Sequence, residues 1–418
     1  MCAALPLKED SQVAPDHPMR AFDRGFFAYE ARNPHFSPGT GAVLLFPGRP
    51  PSLQEIREQL WGRLAELPPM NCRVDGRSWR RARWRRADSV DPAQLIREHV
   101  TSELGDAINE LLAERFEGPL PLWRCWLVHG YCNDEFALLY LGHHALHDAL
   151  AMRRMAGMAL GPAPSPNRLV PPAPERSGVW ASARGLTNNM RSLVPLATPT
   201  ARDDFTNRRQ LSWGFIPGME LNTLAREHDV TINDVFLAAL TGVLRNWPES
   251  PWQIGRTVWA LVPVNTRNAA EVDQGGNRLS AFRLPLPCDQ ASPLRRLEVI
   301  SDRTVRGLRR GHQHAERGLS AAFPKWFGQF AVGRAMSTRY AQVLTSCFPV
   351  AGGLLTLVGR PAMKIIPALI LPHGHHFSVA MSVSRDHSCV AFTADSSLGT
   401  ADELPTRWLQ SIEELKNE

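Results

Sequence analysis

At 418 residues, with 44% hydrophobic and 21% charged side chains, the chain has a soluble globular composition and is too long for one compact core, which implies about two domains. Its seven cysteines (Cys2, Cys72, Cys125, Cys132, Cys288, Cys347 and Cys389) form an odd, scattered set with no CxxC pair, which argues against a disulfide framework and a thiolate zinc site and for a reducing, cytoplasmic setting. The start, MCAALPLKEDSQVAP, has no basic region followed by an apolar core, and no run of about 18 uncharged apolar residues occurs, so neither a signal peptide nor a membrane span is expected.

Ser52 to Leu67 reads as a helix with a serine cap, stopped by Pro68-Pro69. The net charge of +6 is concentrated just beyond it: from Arg73 to Arg86 seven arginines, including Arg80, Arg81 and Arg83, interleave with Trp79 and Trp84. Such a patch suits the phosphates of a nucleotide cofactor, an acidic carrier protein or an anionic membrane face. It is equally a twisted, solvated strand pair. Nucleic acid is the least favoured partner, because no zinc finger, helix-turn-helix or ribonucleoprotein signature accompanies the patch.

Asp91 to Leu112 reads as one or two helices, and Pro119 to Val128 as a strand joined by a turn at Asn133-Asp134 to the apolar run Phe136 to Leu141. Gly142 breaks that run, and chemistry tends to sit at such strand ends. Here His143, His144 and His147 supply imidazoles, while Asp148 can fix a tautomer, hold an arginine or ligate a metal. Two ordinary surface histidines after a strand are the plain alternative, and a second doublet, His375-His376, shows how little a doublet decides. Leu150 to Leu160 is a short helix.

Between Gly161 and Arg209 the sequence turns proline-rich and loses apolar periodicity, which marks a linker. A second α/β half follows: a strand near Leu211 to Ile216, helices from Gly218 through His228 and from Asn233 to Asn246, and strands at Thr257 to Val264 and Leu279 to Leu286. At least two more strands precede a closing helix from Asp402 to Lys416. The expected units are residues 1–160 with the histidines, a crossover at 161–209, and 210–418.

Five features in order resemble the bacterial wax ester synthase/diacylglycerol acyltransferase family, within the superfamily of chloramphenicol acetyltransferase and condensation domains. Pro121-Leu122-Trp123 stands where the family has PLW, His143 to Ala149 where it has HHxxxDG, and Asn233-Asp234-Val235 where it has an ND helix start. Val262 to Arg267 and Gly276-Asn277 match two further signatures. The resemblance spans nearly the whole chain. It implies an α/β (α+β) fold of two chloramphenicol-acetyltransferase-like subdomains forming a V, with a central tunnel and the histidine motif midway.

It also implies roles. His144 is similar to a general base that deprotonates an acceptor hydroxyl or amine, which attacks an acyl thioester. The donor is acyl-CoA or a phosphopantetheine-linked acyl carrier protein, and no cofactor or metal is bound. His143 orients the turn, Asp148 pairs with an arginine (Arg267 first, Arg24 second), and His147 is a packed or solvent-facing ring. Ser346 and Asn277 are candidates for an oxyanion contact or acceptor channel, and Arg80, Arg81 and Arg83 for donor docking. A monomer with peripheral membrane contact fits this picture.

The chain departs from the pattern at Ala149, where the motif has glycine, and at Thr345 to Ala351, where an asparagine and a glycine are missing. These changes favour specialised metabolism over lipid storage. Two other classes compete: a metal hydrolase built from His143, His147 and Asp148 with His373, His375 or His376, and a non-catalytic module that holds a carrier protein.

Overall fold

The computed structural model describes residues 17–65, 67–75, 82–87, 89–116, 118–162, 205–250, 252, 257–267, 276–309, 325–350 and 354–418. Its first half contains β1 (His17–Pro18), α1 (Ala21–Arg32), β2 (Gly39–Pro47), α2 (Leu53–Leu64), β3 (Cys72–Asp75), β4 (Arg83–Arg86), α3 (Pro92–Leu95), β5 (Ile96–Val100), α4 (Leu104–Leu111), β6 (Trp123–His129), β7 (Glu135–His143) and α5 (Ala149–Leu160). The second half continues with β8 (Arg209–Ile216), α6 (Gly218–Glu227), α7 (Ile232–Asn246), β9 (Val258–Asn265), β10 (Leu279–Leu286), α8 (Pro293–Arg309) and α9 (Lys325–Ala335). It closes with β11 (Val343–Pro349), β12 (Thr356–Leu357), β13 (Arg360–Pro361), β14 (Lys364–Ala368), β15 (Phe377–Val383), β16 (Ser388–Asp395) and α10 (Leu404–Lys416).

Two mixed sheets organise these elements, one in the order β14-β2-β7-β6-β5 and the other β10-β9-β11-β15-β16-β8. The expected α/β class with two sheet-centred halves is what the structure contains. Strand alternation explains the first sheet: Ala42, Leu44 and Phe46 of β2, with Phe136 and Leu138 of β7, pack on one face beneath α2. Val43, Leu45, Ala137, Leu139 and Leu141 point the other way, toward Leu211, Cys389 and Ala391 of the second sheet. Both faces are apolar because both are covered, which is why β7 reads as an unbroken hydrophobic run.

Local signals set the helix starts. Ser52 accepts from the Glu55 amide while Glu55 bonds back to the Ser52 N–H, a reciprocal cap that begins α2. Thr231 and Asp234 do the same for α7, which packs against α8 and α10 in the second core.

Three expectations change. Asp91 to Leu112 is not purely helical: β5 lies between α3 and α4, because Ile96 to Val100 completes the parallel edge beside β6 and sheet pairing overrides local helical preference. Gly142 does not end its strand; Thr40 and Gly39 pair with Gly142 and His143, so β7 carries the first histidine itself. And β14, from the second half of the sequence, joins the first sheet antiparallel to β2, with Ile366 opposite Val43. Of the arginine stretch, Arg73 and Arg83 to Arg86 lie on the antiparallel pair β3–β4, with Arg83 and Arg85 exposed; Arg80 and Arg81 fall outside the described residues. No described helix is long and apolar enough to cross a membrane.

Ile366 is fully buried between the sheets. Ile366→Ala is expected to lower the unfolding free energy by about 2–5 kcal/mol, read by chemical denaturation, since it empties the strand that joins the halves.

Candidate active site

The histidine motif occupies a tight turn between β7 and α5. The His143 amide donates to Leu122 O at 2.9 Å, the His144 amide to Pro38 O at 2.9 Å, and the Leu146 amide to His143 O at 2.8 Å. Asp148 ends the turn as the N-cap of α5, its Oδ1 accepting from the Ala151 amide at 2.9 Å. Ala149 opens the helix and is not among the residues with positive φ, so alanine in place of the motif glycine costs the backbone nothing here.

One face of α1 lies against this turn. Asp23, Phe26, Phe27 and Glu30 follow i, i+3, i+4, i+7 spacing and share that face. Phe26 stacks on the His144 ring at 4.2 Å and Phe27 on the His143 ring at 4.4 Å. Glu30 Oε2 stands 3.3 Å from His143 Nε2, and His143 Nδ1 accepts from the Ala145 amide at 2.9 Å. Both nitrogens of His143 are therefore engaged, and the ring is a fixed part of the turn.

His147 is buried, with Nε2 at 2.8 Å from the Tyr140 hydroxyl. Gly142 makes this contact sterically feasible: a Cβ there would meet His147 Nε2 and Tyr140 Oη at 2.5 Å each. Burial pulls the His147 pKa down to about 3, and neighbouring His144 pushes the same way. His147 is thus a neutral packed ring.

His144 differs from both. It is half-buried, and its Nδ1 has no hydrogen-bond partner. Desolvation lowers its pKa to about 4, outweighing its own backbone, Asp148 and the Asn277 amide, which favour the charged form. Neither its backbone nor Asn277 reaches hydrogen-bond geometry at Nδ1. At neutral pH the ring is an uncharged base whose main chain is pinned on both sides, by Pro38 O and by the Asn277 amide at 2.7 Å from His144 O.

The second half of the chain grips the turn residue by residue. The Gly276 amide donates to Leu146 O at 3.1 Å, and the Arg278 amide to Asp148 Oδ2 at 2.8 Å. Arg267 Nη1 donates to the same Oδ2 at 2.7 Å while its Nη2 donates to Gly276 O at 2.8 Å. Gly276 adopts φ +80°, a conformation that favours glycine. Arg24 is directed elsewhere, its Nε donating to Met19 O at 3.1 Å.

Asn277 was a candidate oxyanion donor, but its Nδ2 donates to Asp23 Oδ1 at 2.9 Å and to His144 O at 2.7 Å, which commits both amide hydrogens to holding the loop. Ser346 is buried on β11 and shares a strand face with Leu344, which packs in one cluster with Phe26 and Ala145. Cys347 faces the core of the second half, where burial pushes its thiol pKa up to about 12. The histidines of the second doublet lie elsewhere: His375 Nε2 contacts Ala341 O at 3.1 Å, and His376 packs near Phe205 and Trp252. The structure does not bring them to the motif, so the ligand set of a metal hydrolase is not assembled. Among the described residues no group of three His, Cys, Asp or Glu side chains is placed to hold a metal ion. A cleft does open between the halves, but His35, Ser37, Arg209, His373 and Asp395 line it and His144 does not.

The catalytic-domain model of wax ester synthases/diacylglycerol acyltransferases matches residues 19–197, and the C-terminal domain model of the same family matches 275–416. The chain belongs to this family. It is an acyltransferase. The Mycobacterium tuberculosis protein named "Probable diacyglycerol O-acyltransferase tgs1" is 24% identical over 90% of each chain. Among solved structures, the wax ester synthase/diacylglycerol acyltransferase of Marinobacter aquaeolei VT8 superposes with a TM-score of 0.71 at 16% identity, covering 96% of this chain and 99% of that one. The first condensation domain of the calcium-dependent antibiotic synthetase follows at 0.68 and 12%, covering 97% and 96%.

Asp23, Phe26, Phe27, Glu30 and Tyr140 escaped sequence reading as site residues. The signal lay in AFDRGFFAYEAR, where helical spacing aligns two carboxylates with two aromatics. Asp148→Ala is expected to destabilise the protein by about 3–5 kcal/mol in denaturant unfolding, because it strands the Arg267 guanidinium. The double variant Asp148→Asn/Arg267→Gln is expected to recover part of that loss.

Proposed function

We propose that the protein moves an acyl group from a thioester to a hydroxyl or amine acceptor by direct attack, with His144 as general base. The supporting observation is that His144, alone among the three motif imidazoles, is half-buried with no protein hydrogen bond at its ring, whereas His143 and His147 have partners. The neutral ring takes the acceptor's proton as oxygen or nitrogen attacks the thioester carbonyl. The C–S bond breaks, and the imidazolium returns the proton to the departing thiolate. No enzyme-bound acyl intermediate is needed, since a thioester is already activated and binding supplies proximity. Burial lowers the His144 pKa to about 4, so at neutral pH the ring is uncharged and able to accept a proton.

Ser346 is the hydroxyl we assign to the developing oxyanion, because its face of β11 is the one shared with the cluster beside His144. Donor docking falls to Arg80, Arg81 and Arg83, of which Arg83 is exposed on β4. The donor is acyl-CoA or an acyl carrier protein; a starter condensation domain of similar fold was solved with C8-CoA and Leu-SNAC. Thr345 to Ala351, lacking the family's asparagine and glycine, points to specialised metabolism. A peripheral, monomeric enzyme is consistent with the exposed arginines.

Mass spectrometry of products from a panel of acyl-CoA and carrier-bound thioesters, offered with alcohols and amines, tests the reaction. His144→Ala is expected to lower kcat by about 10²-fold or more with the thermal midpoint retained. Undiminished turnover in that variant removes His144 as the base. Charge reversal at Arg80, Arg81 and Arg83 is expected to raise KM for a carrier-protein donor far more than for a small thioester; equal effects rule out docking there.

A further inference from the structure

Asp23 lies in the first turn of α1 with 2% of its surface exposed. Its Oδ1 accepts from Asn277 Nδ2 at 2.9 Å, and the same nitrogen donates to His144 O at 2.7 Å. One amide thus joins a buried carboxylate to the main chain of the base. Arg20, the N-cap of α1, acts on Asp23 with opposite charge, and Asp148, bonded to Arg267, repels it across the turn. On the neighbouring helix α9, Gly328 O and Val332 pack against Gly25.

We propose that Asp23 is a positioning residue for acyl transfer: its ionised carboxylate holds the Asn277 amide against the His144 carbonyl and lends negative charge to the imidazolium formed when His144 takes the acceptor's proton. The inference rests on the role assigned to His144. Chemistry favours the arrangement, since a carboxylate acceptor makes a shorter, stronger bond to an amide than a neutral group does. A desolvated imidazole gains most from a nearby anion at the moment it becomes charged.

The fold bears a cost for this. Burial raises the Asp23 pKa to about 7. An acid whose native pKa is raised contributes stability that is fully present below its unfolded value and lost as pH rises through the native one, so ionised Asp23 weakens the fold at mildly alkaline pH.

Asp23→Asn keeps the shape and an acceptor for Asn277 while removing the charge. Relative to wild type, the variant is expected to unfold at a higher temperature at about pH 8 but not at about pH 4. Its kcat for acyl transfer at about pH 8 is expected to fall about tenfold with KM for both substrates within about twofold, and the fall in wild-type kcat below about pH 7 is expected to vanish. In side-chain carboxyl NMR, a titration near pH 7 is expected in wild type and absent from the variant. Unchanged kcat and pH profile in the variant overturn the inference and leave the role of His144 standing, as does a variant less stable than wild type at about pH 8. Wild-type protein in which His144→Ala leaves turnover intact overturns both.

Discussion

A single buried ion pair carries the geometry of the histidine turn. Asp148 Oδ2 accepts from Arg267 at 2.7 Å and from the Arg278 amide at 2.8 Å, while its Oδ1 starts helix α5. The carboxylate therefore belongs to both halves of the protein at once. Taking two charges out of water is expensive unless their hydrogen-bonding capacity is filled. Here it is filled by a capped helix, a guanidinium and a main-chain amide, and the guanidinium's other arm secures Gly276 O. The motif turn cannot shift without breaking contacts in both halves.

What the turn gains from this rigidity is differentiation among three like side chains. All three imidazoles lie within five residues, but their surroundings give them separate tasks. His143 is bracketed by Glu30 and its own turn, and His147 is spent on Tyr140. Of the three, only His144 has a ring without a hydrogen-bond partner among the described residues, and the Phe26 ring stacks behind it. Desolvation keeps that ring neutral at neutral pH.

Much of this was legible in the sequence because it depends on local order. The apolar run of β7, the serine and threonine caps, and the ordered PLW, HHxxxD and ND signatures are short-range patterns, and they led to the family and the fold. What stayed hidden depends on contacts between distant segments. Helix α1 is amphipathic only in the sense that Asp23 and Glu30 flank two phenylalanines, and nothing local says that this face meets histidines more than a hundred residues later. β5 read as helix because its parallel partner, β6, lies beyond the next helix. Asn277 read as a candidate for an oxyanion contact or the acceptor channel, and nothing in the sequence pointed to the side chain and the carbonyl, from far-off parts of the chain, to which its amide donates.

The placement of β14 has a bearing on how the molecule comes into being. β2, β5, β6 and β7 emerge from the ribosome early, but the strand that covers the open flank of β2 is synthesised only after four of the six strands of the second sheet. Throughout that interval the nascent first sheet presents an unmatched row of amides and carbonyls, with the apolar side chains of Val43 and Leu45 beside it. Translation of this polypeptide therefore includes a long window in which it is prone to stick to other chains, and truncation before Lys364 leaves that window permanently open.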